Sequence, residues 1–481
     1  MSANKKIKVT IISLVSLAFI ILFSLLLFIT DFRGKIANAT ITRQQLSLLE
    51  SFDLITDTKA RLTELLATKS HRAWLHLAKL HANNSADTAY QLAEYYRQHN
   101  AINSAQLWYQ VAIRQQHIPA RIALASRYFD QKKYADIKPL LLPIIDNTQA
   151  LKILYKLALH KGDMLFIKTY KDKLASGANH KFYRELEQFS VFSANSVKVI
   201  SEQNIAPNLS CVIDVQLFAT NLTGLRHGTQ LISAFEQHTL AQTICLRKPK
   251  YIAADDVNCQ HQPNEKITCN ATAWVRQKSI NTRYLGLIVE VGGANVDNGI
   301  MYIDQADNVD VLVHELSHLV GFVDEYPLPS KHQKCQQFQQ APFAHNLVVL
   351  SEYYQGERNI LRAKILSQIP WRSFIKDSTP ILSKHQKGWR LSTPKKYHDE
   401  IGVFTSASCD KQNAIQAFKP LAQRTKLQYF ELVFPDTYID IMLLAPRRYL
   451  MPSYHFNVSR DLVEKGDYSK AREVLEVTLF D

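Results

Sequence analysis

The hydrophobic pattern begins with one long apolar run. From Ile7 to Ile29 only Lys8, Thr10 and small serines interrupt it, and from Val9 onward it is about 21 residues, the length that spans a bilayer core. The pattern predicts a cytoplasmic tip and a transmembrane helix over residues 1–30. Lys5, Lys6 and Lys8 crowd its front, while Asp31, Arg33, Lys35 and Arg43 are spread more thinly behind it. That positive-inside bias predicts a single-pass protein of a bacterial inner membrane, with its body in the periplasm. Ala37-Asn38-Ala39 has the small residues of a signal-peptidase site, but the apolar run ends well before it, so the expected element is an uncleaved anchor.

Residues 31–195 read as helix after helix, with few β-branched runs. Leu92-Ala93, Leu124-Ala125 and Leu157-Ala158 recur at spacings of 32 and 33, with Tyr95 and Tyr128 in register and a polar turn after each pair. This resembles degenerate tetratricopeptide repeats, whose period is about 34 residues. The resemblance implies stacked helix pairs with a concave groove suited to a protein partner. An irregular helical bundle fits the same pattern. Gly466-Asp467-Tyr468 with Ala471 repeats the turn chemistry near the C-terminus, which predicts a closing helical hairpin over residues 455–481.

Between these regions, residues 196–454, the period changes. Cys211 to Ala219 alternates as a strand, Gly224 to His238 reads as a helix, Ala241 to Leu246 as a strand, and Tyr284 to Val291 as a continuous β-rich run broken by Gly292-Gly293. Asn298-Gly299 is a turn signal before Ile300 to Ile303. Strand, helix, strand, strand and then a helix predict an α+β domain with a mixed sheet. Gly299 to Asp304 is the expected edge strand that would accept an extended peptide, with an internal strand the next reading.

Composition changes the picture in three respects. Few glycines and prolines, 14 and 16 in 481 residues, exclude long linkers and low-complexity tracts. The net charge of +14 comes from scattered lysines and arginines without a basic cluster, so no nucleic-acid footprint is present. All six cysteines, Cys211, Cys245, Cys259, Cys269, Cys335 and Cys409, fall in the second half, which predicts a disulfide framework. The short polar loop between Cys259 and Cys269 makes that pair the expected one.

The chemistry lies in Val311 to Tyr326. His314 and His318, four apart, project from one face of a helix, the geometry two imidazoles need to share a zinc ion. Glu315 beside them is placed to take a proton from an attacking water. Val311, Leu312, Val313, Leu316, Leu319 and Val320 are apolar, so the helix is expected inside a domain. Asn308 or Asp310 can cap it. A catalytic zinc has three protein ligands, and the expected third is Asp324. On a continuous helix it would point roughly 240° away from His318 and lie about 9 Å further on. Gly321 can end the helix in a left-handed conformation and return the carboxylate. Glu352 is a rival third ligand. Tyr326, Tyr353 and Tyr354 are candidates to donate to a developing oxyanion.

His314-Glu315-x-x-His318 with Gly321 and Asp324-Glu325-Tyr326 resembles the signature of the immunoglobulin-A peptidase family of zinc metallopeptidases. The resemblance covers about residues 211–409 and implies a zincin-like α+β fold, a zinc cofactor held by His314, His318 and Asp324, Glu315 as catalytic base and a polypeptide substrate. One departure is that Gly402 to Cys409 holds no methionine, where a metzincin's methionine turn is expected. The expected function is that of a membrane-anchored zinc endopeptidase; the alternative is a non-catalytic helical-repeat scaffold with a zincin-like domain.

Overall fold

The computed structural model describes residues 3–38, 40–46, 63–65, 71–192, 211–260, 265–276, 280–328, 332–409 and 415–476. The chain is mixed α/β with a helical N-terminal region, and it divides into two compact units, Met1–Leu157 and Ala158–Asp481. The boundary expected at 195/196 lies outside the described residues.

In the first unit Ala3–Ala37 is one helix. Among the described residues no helix is long and apolar enough to cross a membrane. This corrects the expected N-terminal transmembrane helix, and with it the inner-membrane, periplasm-facing location that depended on that helix.

The helices Ala86–Gln98, Ile102–Arg114 and Ile118–Asp130 are 13 residues each. The turns after them carry Asn100, Gln116 and Lys132 at φ 56, 63 and 58, left-handed residues that reverse the chain at a helix end. The turn residues are 16 apart, so one helix pair takes the 32 residues read from the sequence. Ala93, Ala105, Ala112 and Ala125 are fully buried, and their small side chains let neighbouring helices approach. Ser85 Oγ caps the first helix by accepting from Thr88 N, and His117 caps the third by accepting from Ala120 N. The third Leu-Ala pair sits on Thr148–Lys161, the helix in which the units divide.

The second unit is built on a five-stranded sheet of β1 (Ile213–Ala219), β2 (Ile244–Tyr251), β3 (Tyr284–Val289), β4 (Asn295–Asp297) and β5 (Ile300–Asp304), in the order β2-β1-β3-β5-β4. β4 alone is antiparallel to its neighbour. β3 and β5 are buried at every position, as parallel strands covered on both faces must be. The helix Leu222–Phe235 closes on one face through Gly228, where a Cβ would lie 2.7 Å from Ile288 Cδ1. On the other face Leu285, Leu287, Ile300 and Tyr302 pack against Trp274 and against Tyr454, Val458, Leu462 and Ala471 of the C-terminal hairpin Tyr454–Glu464 and Tyr468–Glu476. Residues from 158 onward belong with this sheet: Tyr251 Oη donates to Leu159 O (2.9 Å), and Arg226 pairs with Glu185 (2.6 Å). The sheet edges are β2 and β4, and Ile300–Asp304, expected at an edge, is internal because β4 pairs with its outer side.

The unit also holds two three-stranded sheets. One orders Phe404–Thr405, Ile415–Lys419 and Val348–Ser351; the other orders Tyr353–Tyr354, Gly388–Leu391 and Leu382–His385. All six cysteines are paired, as Cys211–Cys245, Cys259–Cys269 and Cys335–Cys409. The pair expected from the short loop is present.

Candidate metal centre

The helix Val309–Leu319 carries the site. Asn308 caps it, its Oδ1 accepting from Asp310 N (2.9 Å) and Val311 N (3.2 Å). Leu312, Val313, Leu316 and Leu319 are buried, so packing fixes the helix and hence the direction of its polar residues. Gly321 at φ +94 ends it. Gly321 N bonds His318 O and Phe322 N bonds Ser317 O, both at 3.1 Å, the paired bonds of a Schellman turn. The chain reverses there, and residues 322–324 run back beside the helix.

The reversal brings Asp324 to the two histidines. Asp324 Oδ1 lies 3.2 Å from His314 Nε2 and 3.3 Å from His318 Nε2. Ligands bonded at about 2.0–2.1 Å to a tetrahedral ion would be separated by about 3.3–3.4 Å, which is close to the separation of Asp324 Oδ1 from each ring nitrogen, and the three ligand atoms all lie within 4.8 Å of one another. His314 Nδ1 is 2.9 Å from Lys426 O, and His318 Nδ1 is 3.1 Å from Phe322 O. A carbonyl only accepts, which assigns a proton to each Nδ1 and makes each Nε2 the nitrogen that a metal would take, His318 after losing its second proton. Asp324 Oδ1, although close to both rings, is buried without a hydrogen bond. That fits donors aimed at a shared centre rather than at one another. His314, His318 and Asp324 therefore form a cluster that could hold a metal ion.

Electrostatics agree with the geometry. Burial opposes charge on both His318 and Asp324, but each offsets it for the other: the imidazole is raised to about 9 and the carboxyl is held far below its usual range. Burial raises the Glu315 carboxyl, and His318 and His314 only partly counter this. No lysine or arginine among the described residues pairs with Glu315, so it is not one half of a structural salt bridge.

The other candidates separate. Tyr326 belongs to the site: its ring lies nearly parallel to that of His314 at 6.4 Å, and burial together with the neighbouring Asp324 carboxylate raises its hydroxyl. Tyr353 and Tyr354 lie on the small sheet they form with Gly388–Leu391 and Leu382–His385, and burial pushes Tyr354 up to about 12. Neither has a described contact with His314, His318 or Asp324. Glu352 is engaged by Arg390, at 2.9 Å to Nε and 2.8 Å to Nη2, and Asp324 takes the third corner. The methionine-free segment does run behind the ligand loop, where Ser408 Oγ donates to Asp324 O (2.7 Å) and Ser406 Oγ to Glu325 O (3.3 Å).

Sequence reasoning missed Lys426, Asn346 and the inward role of Glu325. Lys426 and Asn346 lie far along the chain from the motif; only the adjacency of Glu325 to Asp324 was a signal. No family model, no curated protein and no solved structure matches this chain.

Proposed function

We propose that the second unit is a zinc-dependent peptidase, with His314, His318 and Asp324 as ligands and Glu315 as general base. The observation that supports this most is the convergence of three lone-pair donors, two of them tautomer-fixed imidazoles, beside a buried carboxylate without a cationic partner. Zinc bound there supplies Lewis acidity toward water and toward a scissile carbonyl. Glu315 takes the proton of the attacking water and delivers it to the leaving amine; burial, by raising its carboxyl, brings it nearer the pKa that such a shuttle needs. The half-exposed Tyr326, stacked beside His314, is placed to donate to the oxyanion. The resemblance to immunoglobulin-A peptidases supports a polypeptide substrate. The helical first unit is assigned the capture of a protein partner, supported by its regular pairs of 13-residue helices.

The test is metal analysis of the full chain together with hydrolysis of unfolded casein. Stoichiometric zinc and chelator-sensitive cleavage are expected. Glu315→Gln should keep the metal and the melting temperature and lose activity by about 10²- to 10⁴-fold. Unchanged hydrolysis by a well-folded Glu315→Gln protein would end the peptidase reading.

A further inference from the structure

We infer that Glu325, which neither touches the metal cluster nor faces solvent, is the positioning residue that sets the third corner of the site by acting through Asp324. The inference rests on the metal-centre reading. The Glu325 side chain is 0% exposed. Its Oε2 accepts from Lys419 Nζ (2.7 Å) and Thr425 Oγ1 (2.9 Å), and its Oε1 accepts from Asn346 Nδ2 (3.1 Å) and Tyr438 Oη. The four donors come from the strand Ile415–Lys419, the turn after it, the segment before Val348 and the helix Asp436–Leu443. Glu325 is thus the point at which four separate stretches meet the ligand loop.

The loop is held along its backbone as well. Asn346 Oδ1 accepts from Val323 N (3.0 Å) and its Nδ2 donates to Val323 O (2.8 Å), so one amide grips the residue before the ligand and the carboxylate after it. Three consecutive residues then tie both halves of the site together. Thr425 Oγ1 donates to the Glu325 carboxylate, Lys426 O accepts from His314 Nδ1, and Leu427 O accepts from Glu325 N (2.8 Å). The same short segment therefore orients a histidine ligand and the loop bearing the aspartate ligand.

Fold stability alone does not account for this arrangement. A buried ion pair is a poor stabiliser, because apolar residues of similar volume often hold a fold as well or better. What apolar packing lacks is direction. A ligand must be held to about 0.5 Å, and directional bonds from supporting residues achieve that.

The experiment compares the full chain with Glu325→Gln and Tyr438→Phe. Zinc affinity is measured by chelator competition, at a temperature where circular dichroism shows each protein folded, and the visible spectrum of the Co²⁺ form reports ligand geometry. Leu462→Ala serves as control, since it loosens the core under the C-terminal hairpin away from the site. Glu325→Gln should bind zinc about 10- to 100-fold more weakly with altered cobalt bands, Tyr438→Phe should show a smaller loss in the same direction, and Leu462→Ala should lower Tm with affinity intact. A folded Glu325→Gln protein with parental affinity and spectrum overturns the inference, as does an affinity loss in Leu462→Ala matching its fall in Tm. If Glu325→Gln fails to fold, Tyr438→Phe decides by the same criteria. A parent chain that binds neither ion overturns the metal centre itself and this inference with it.

Discussion

Gly321 and Tyr449 are in direct contact: a Cβ on Gly321 would lie 2.4 Å from the Tyr449 carbonyl oxygen. The glycine is required twice over, by its φ of +94 and by the backbone pressed against it. Gly321→Ala should destabilise the second unit by about 2–5 kcal/mol, combining left-handed strain with a clash that only backbone movement relieves. Because the turn also returns Asp324, metal content should fall in the fraction that still folds. A thermal melt together with metal analysis checks both effects, and a variant with the parental melt and metal content would contradict them.

Removal of the Asp324 carboxylate should cost the site its metal. Asp324→Ala is expected to lower occupancy to the level of His318→Ala, whereas Glu352→Ala should keep its metal and lose only the contact with Arg390. Occupancy is read by elemental analysis after gel filtration. Full retention in Asp324→Ala would sink the ligand assignment.

Metal affinity should depend on pH through His318. In the metal-free protein its folded pKa is raised to about 9 by Asp324, against the opposing effect of burial. The stabilising His318–Asp324 attraction is therefore fully present below the unfolded value of about 6.5 and lost as pH rises through the folded value. Metal must displace that proton, so the apparent binding constant should climb about tenfold per pH unit below about pH 9 and flatten above it. Competition titrations across this range, corrected for the chelator's own protonation, are the check. A flat profile from pH 7 to 9 would contradict the pairing.

His345 should make the fold acid-sensitive. It is buried against Phe322 and Tyr449, its backbone N bonds Gly321 O, and its Nε2 is buried without a hydrogen bond. Burial, with Arg448 adding to it, lowers the imidazole to about 4, although a bond to the Val320 backbone works the other way. A depressed histidine contributes stability that is fully present above the unfolded value and declines as pH falls toward the folded one. By linkage the loss totals about 3 kcal/mol, of which about 2 kcal/mol has gone by pH 5. His345→Phe should remove this component, so the stability gap between parent and variant should change by that amount between pH 8 and pH 5. Parallel pH profiles from denaturant unfolding would count against it.

The amino-acid sequence by itself determined the features that depend on neighbours along the chain. The i, i+4 histidines, a cap at Asn308 or Asp310, the left-handed turn at Gly321, the 32-residue helix-pair period and the short-loop disulfide Cys259–Cys269 all follow from local stereochemistry and spacing, and the structure chose Asn308 as the cap. Where local pattern had to stand in for a three-dimensional fact it was less decisive. Ile300–Asp304 read as an edge strand and is internal, because alternation and a turn signal do not state what lies on either side; β4 covers the expected edge. The apolar N-terminal run had the composition of a transmembrane anchor, but among the described residues no helix is long and apolar enough to cross a membrane. Tertiary structure alone decided which groups support the ligands. Lys426 reaches His314 across 112 positions, and Tyr438 reaches Glu325 across 113. No periodicity links residues so far apart, because hydrogen bonds that orient a buried ligand are set by how the segments pack, and packing depends on the whole chain.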